Sequence, residues 1–259
     1  MRNIWVIAKR ELNAYFYSPI AYVVTTIFVL VSGFFFHNIL SIYSFYSMDA
    51  VQNQYMAEGL NFTEGIFNPL FSNISIIMLL IMPLLTMRLL AEEKKSGTFE
   101  LLLTYPLRDI ETVIGKFLAC LLVFGVMIGL TLAYPVYLSF LGDLEFGPLL
   151  ASYFGLLLMG GACIALGLFA SSLTSNQIVA AVMSFGALIL FFLIGFSAYS
   201  IEAESPMLAG FLRHISLLEH FENFTKGVID SRDVIYYLNF TIFWLFLTLR
   251  SLESSKWRG

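Results

Sequence analysis

Charge is scarce in this chain, and its densest cluster is Glu92, Glu93, Lys94 and Lys95, with Arg88 before it and Gly97, Thr98, Phe99, Glu100, Leu102, Leu103 and Pro106 after it. Charges packed this closely can set the register of a docking surface, where they tune specificity more than affinity. No catalytic pattern accompanies them. A phosphate-cradling loop requires G-x-x-x-x-G-K-[ST]; here Lys116 follows Gly115, but Ile110 occupies the first glycine position and Phe117 replaces the hydroxyl residue. The chain therefore has no nucleotide loop of its own. His214 and His220 stand about 240° apart around a helix, which is not the one-face spacing of a zinc protease pair. A serine nucleophile has no histidine or lysine in the middle of a later apolar run to act as its base, and Cys120 and Cys163 lie inside apolar runs, where thiols pack as small hydrophobes. These features exclude an enzyme acting alone and offer no metal site.

The elements that must carry this cluster are set by composition. The 259 residues are 59% hydrophobic and 12% charged, against about 25% charged in soluble domains, and the mean hydropathy is +0.82. This is the composition of a polytopic membrane protein. The net charge of -4 is mild and lacks the clustered Lys and Arg that a nucleic-acid binder needs. Ionisable residues are almost absent from mid-depth of the apolar runs, which argues against a proton-coupled transporter.

Taken in order, the chain reads as an all-α integral membrane protein forming a single domain, 1–259. Residues 1–18 form an amphipathic helix, with Ile4, Trp5, Ile7, Ala8, Leu12, Tyr15 and Phe16 on one side and Asn3, Lys9, Arg10 and Asn13 on the other, as expected for a helix lying in the interface. The basic start is followed by an apolar run too long for a cleaved signal, so it is expected to remain attached. Glu11 breaks the amphipathic pattern. It either snorkels or forms a salt bridge to the cytoplasmic end of a span, with Arg88 as the candidate partner. Spans are predicted at 20–40, 66–90, 111–141, 148–171, 178–199 and 233–250. The uncharged stretch from Phe146 to Ile201 is too long for one crossing of about 20 residues and divides at the polar cluster from Ser171 to Gln177. Pro83 should kink the second span. Residues 41–68 are expected to be an external loop, 92–106 a charged loop, and 200–232 two external helices that dip back into the membrane. The second of these has a capping box at Ser216 and Glu219 and a closing Gly227. Asp233 and Arg250 are expected to snorkel from the ends of the short last span. The clusters Phe34, Phe35 and Phe191, Phe192 would suit an apolar outer gate, although packing against lipid is the commoner use of such residues. Of the 14 Lys and Arg residues, all but Arg213, Lys226 and Arg232 fall on the side of the termini and the charged loop, so the positive-inside rule places these in the cytoplasm.

The sequence from Glu92 to Pro106 resembles the cytoplasmic loop of type-2 ABC exporter permeases: an acidic pair, a basic residue, Gly-Thr, an acidic residue, leucines, and Thr before a proline. The likeness extends to the Lys9-to-Leu12 leader, the six spans and the paired external helices. The ending from Glu219 to Asp233 is similar to that of the small gliding-motility and nitrous-oxide-accessory permeases. This resemblance implies a coupling helix from about Gly97 to Leu103, stopped before Pro106, with Phe99, Leu102 and Leu103 entering a groove on a separate cytoplasmic ATPase. Glu92, Glu93, Lys94, Lys95 and Glu100 would then be rim charges. It also implies two ATPase subunits, with ATP and Mg bound on them and none on this chain, and a second permease copy or relative. The localisation it implies is a bacterial inner or plasma membrane. A scaffold that anchors an ATPase or an envelope complex without transporting anything is the other reading.

Overall fold

A computed structural model of the protein describes residues 2–52, 62–98, 108–201 and 205–256. Backbone groups that lose water must pair within their own segment, so long apolar runs fold as helices. The described residues form α1 Arg2–Tyr17, α2 Pro19–Gln52, α3 Phe62–Thr86, α4 Arg88–Lys95, α5 Asp109–Thr131, α6 Ala133–Leu138, α7 Phe146–Ser172, α8 Gln177–Ile201, α9 Pro206–Ile215, α10 Leu217–Thr225 and α11 Ser231–Lys256. No strand occurs among them. Among the described residues, six stretches are long and apolar enough to cross a membrane: Pro19–Met48, Thr63–Lys95, Asp109–Leu138, Phe146–Ser172, Gln177–Ala198 and Ser231–Ser254. The architecture is thus all-α with six candidate transmembrane helices.

Two elements run longer than their apolar stretches suggest. Residues 41–52, expected in an external loop, continue α2 as helix. The hydroxyls of Ser41, Ser44 and Ser47 donate back to the carbonyls of His37, Ser41 and Ser44, which lets a polar stretch stay helical without outside partners. At about 51 Å, α2 outruns a hydrocarbon core of about 30 Å. On the other side, the second apolar run passes Pro83 and continues through Met87 into α4, so the charged residues 92–95 extend a helix instead of opening a loop.

The core lies among α3, α5 and α7, where Phe71, Met78, Met82, Phe124, Met127 and Met159 are buried. Of these helices α7 is the axle, with 72% of its most apolar stretch buried. Its small residues permit close approach. A Cβ on Gly167 would collide with Thr86 of α3, one on Gly160 with Phe124 of α5, and one on Gly155 with Phe224 of α10.

Beyond α8, α9 starts with Pro206 in its first turn, and Ser216 caps α10 by accepting the Glu219 amide at 3.4 Å. The reciprocal half of the expected box is not made: the Ser216 amide donates to Leu212 and Arg213 carbonyls, and the Glu219 carboxylate lies 3.8 Å from Arg213. Gly227, at φ +79, closes α10 as expected.

If α7 is the axle, Gly160→Ala should destabilise the protein by about 1–3 kcal/mol through overpacking. Gly125→Ala, where an added Cβ meets nothing within 4 Å, should be neutral. Thermal unfolding in detergent compares the two.

Candidate functional site

Helix α1 lies along the first turns of α5 and runs in the same direction. Asn3 donates to Glu111 at 3.1 Å, Ile7 occupies the space over Gly115, and Glu11 reaches Lys116. A Cβ on Gly115 would stand 2.8 Å from Ile7, so this glycine sets how closely the two helices meet. Ile7, Ala8 and Tyr15 of α1 are buried, while Trp5 and Phe16 stay exposed.

Four charges converge where α1, α4 and α5 meet. The Lys116 Nζ is 3.1 Å from Glu11 Oε1 and 2.9 Å from Glu93 Oε1, and Arg10 Nη2 is 2.8 and 2.9 Å from the same two oxygens. The Lys116 side chain is only 1% exposed. An isolated ammonium at such a site would be costly; flanked by two carboxylates it is neutralised. Burial pushes the Glu11 carboxyl up, but the Lys116 ammonium and the Arg10 guanidinium together hold it below the usual carboxylate range.

Here the structure corrects one expectation and refines another. Glu11 does form a salt bridge to the end of a span, but its partners are Lys116 and Arg10 and not Arg88. The Arg88 guanidinium instead lies 4.2 Å over the Tyr15 ring, and the Tyr15 hydroxyl donates to the Leu85 carbonyl at 2.7 Å. Glu93 and Lys94, expected on a docking rim, turn inward. Glu93 joins the cluster, and the Lys94 ammonium donates to the Ser172 carbonyl. Glu92 and Lys95 remain exposed.

Ser171 is the residue that sequence reasoning passed over as a simple hairpin break. Its hydroxyl accepts from the Leu90 and Ala91 amides at 3.1 and 3.0 Å and donates to the Met87 carbonyl at 2.9 Å. A side chain inserted into a helical ladder marks a joint, and this one bolts the α7–α8 turn onto the start of α4. The only sequence signal was a serine pair ending a Gly-rich apolar run.

Gly97 has φ +69, so it closes α4 and is not itself a helical residue, as the expected start of the coupling helix would require. Thr98 follows, its hydroxyl 2.8 Å from that of Ser96. Phe99, Glu100, Leu102, Leu103 and Pro106 lie outside the described residues.

At the opposite end, Asp233 is buried, 2.6 Å from His220 Nδ1 and accepting from Asn223 at 2.8 Å. It does not snorkel. His220 Nε2 faces the His214 carbonyl, and the ring stacks on Tyr236 at 3.9 Å, so one ring nitrogen ties α10 to α11 and the other ties it to α9. The aromatic clusters are not brought together by the ring contacts of the described residues. Phe34 and Phe35 contact each other on α2, whereas Phe191 packs against Phe240 and Trp244 of α11 and Phe192 is buried.

Six apolar helices with α7 at their core, a charged joint at one end and a polar clasp at the other define a multi-pass membrane protein. Residues 5–249 match the family model described as ABC-2 family transporter protein, and the chain belongs to that family. It is therefore a membrane permease component of an ABC transporter, a class that works with an ATP-binding subunit. No curated protein matches the chain.

Lys116→Met leaves Glu11 and Glu93 with only the half-exposed Arg10 to neutralise them, and should cost about 3 kcal/mol. Adding Glu11→Gln and Glu93→Gln should recover most of that loss in thermal unfolding. Because the folded Glu11 carboxyl titrates below its unfolded value, its contribution is complete above the unfolded value and disappears as pH falls through the folded one. Glu11→Gln should therefore flatten the acid side of the stability profile and leave the neutral and alkaline sides parallel to wild type.

Proposed function

We propose that the chain is the permease of an ATP-driven exporter. Two copies, or this chain and a related one, form the substrate route, and two cytoplasmic ATPase subunits carrying ATP and Mg drive it. Family membership over residues 5–249 is the observation that carries this reading. The charged joint supports it, because a segment that receives force from outside must be fastened to the spans it moves. In this reading Phe99, Leu102 and Leu103 dock into the ATPase, with Glu92, Lys95 and Glu100 on the rim. Gly97 turns the chain from α4 toward that surface, and Pro106 ends it. Helix α1 lies at the cytoplasmic interface of the inner membrane, and both termini are cytoplasmic.

The coupling role is tested by copurification. Phe99→Asp and Leu102→Asp should each release the ATPase while the permease keeps its thermal midpoint, and retained copurification would overturn the assignment. Flux and hydrolysis in liposomes decide between transport and a scaffold: hydrolysis unaffected by every candidate substrate, with none moved, leaves the scaffold standing. For orientation, single cysteines at Ser47 and Ser205 should react with an impermeant reagent from outside and one at Ser96 from inside; the inverse pattern would reverse the topology.

A further inference from the structure

The end of the molecule that carries α9 and α10 has a cleft of about 550 Å³ between α8, α9 and α11. Its polar groups are His214 of α9 with Arg232 and Asn239 of α11, and its apolar wall is built from Phe191, Phe240 and Phe243. No acidic side chain is among the described residues that line it. Among the described residues, the neighbouring carboxylates are turned elsewhere: Asp233 to His220 and Asn223, Asp230 to the Arg232 backbone amide at 2.9 Å, and Glu219 toward Arg213. The hydroxyl of Tyr236, which also borders the cleft, is committed to the Ile215 carbonyl at 2.6 Å. The cleft is thus electropositive at one end and aromatic at the other, with its upper wall fixed by hydrogen bonds.

Depth identifies the occupant. From Arg232 to Phe243 the cleft follows α11 for about 16 Å at the helical rise, close to half of a hydrocarbon core of about 30 Å. A cation at headgroup level above an aromatic trough one leaflet deep matches a single lipid. A free anion would leave most of that trough unfilled.

We propose that this cleft binds one anionic phospholipid from the leaflet bordering α9. Its phosphate sits between Arg232 and His214, the Asn239 carboxamide donates to an ester carbonyl, and an acyl chain lies on Phe240, Phe243 and Phe191. The lipid ties α9 to α11 and is a ligand of the permease itself, whatever substrate the transporter moves.

Trp244 reports on the site, since its ring is 5.4 Å from Phe243 and 6.3 Å from Phe191. The full-length protein carrying Trp5→Phe and Trp257→Phe is placed in phosphatidylcholine nanodiscs doped with lipid whose acyl chains are dibrominated. Brominated phosphatidylglycerol should quench Trp244 more than brominated phosphatidylcholine at the same mole fraction. Arg232→Gln, at an exposed position, should lose that excess, and so should Asn239→Phe, which fills the trough; should Arg232→Gln fail to fold, Asn239→Phe carries the test. Equal quenching by the two lipids, or an excess that survives either substitution, overturns the proposal. Loss of the excess on adding inorganic phosphate at constant ionic strength assigns the site to a free anion and also overturns it.

Discussion

A buried ammonium at the edge of a membrane must be neutralised from the same side, and the position of Lys116 imposes that condition on the chain. With its side chain 1% exposed, it requires carboxylates at contact distance, and the two available come from α1 and α4, which are remote from it in sequence. Glu11 and Glu93 each present one oxygen to both Lys116 and Arg10. Desolvation offsets much of the attraction in such a cluster, so its net contribution to stability is smaller than its geometry suggests. What it supplies is registry. Any slip of α1 along α5, or of α4 away from both, separates opposite charges that water reaches poorly.

Helix α4 is consequently held from several directions at once. The charge cluster grips Glu93, Ser171 enters the backbone ladder at Leu90 and Ala91, Lys94 is drawn to the Ser172 carbonyl, and Leu89, Leu90 and Ala91 are buried. A push delivered beyond Gly97 therefore reaches α1, α5 and the α7–α8 turn together. From there α7 extends the path. Gly167 and Gly155, about 18 Å apart along the axis, press on Thr86 at one end and Phe224 at the other, and the Ser152 hydroxyl donates to the Phe224 carbonyl at 3.1 Å. Close-packed contacts without compressible space transmit displacement well.

Most of the architecture was legible because charge is expelled from hydrocarbon, so the limits of the uncharged runs mark the spans. Arg88 was the expected partner of Glu11 because it is the nearest cation to the second span. Lys116 was instead counted with the loop cations, although it stands beside a glycine at the opening of an apolar run. That Gly-Lys pair was the available signal: the glycine admits α1, and the lysine meets what α1 carries. Glu93 and Lys94 were read as rim charges for a related reason. A linear stretch of mixed sign does not reveal that a helix continues through it, and once it does, successive residues point in different directions. The extension of α2 was hidden by composition, since serines that bond back to their own helix look the same in sequence as serines in a loop.

The peripheral helices pose a separate problem of restraint. Much of the surface of α11 faces outward, and its inward side packs on α7 and α8, with Trp244 5.1 Å from Phe169 and Phe240 5.0 Å from Phe191. Hydrogen bonds to other helices add restraint toward its ends. Near the N-terminus, Asp233 is bound by His220 and Asn223, and the Tyr236 and Tyr237 hydroxyls donate to the Ile215 and Leu217 carbonyls. Near the C-terminus, Ser251 reaches the same Ser172 carbonyl that receives Lys94. One backbone oxygen on the α7 end thus meets both the charged segment and the last helix. Displacement of α4 would therefore reach the anchorage of α11 through this shared oxygen, in addition to the aromatic contacts that α11 makes along its middle with Phe169 and Phe191.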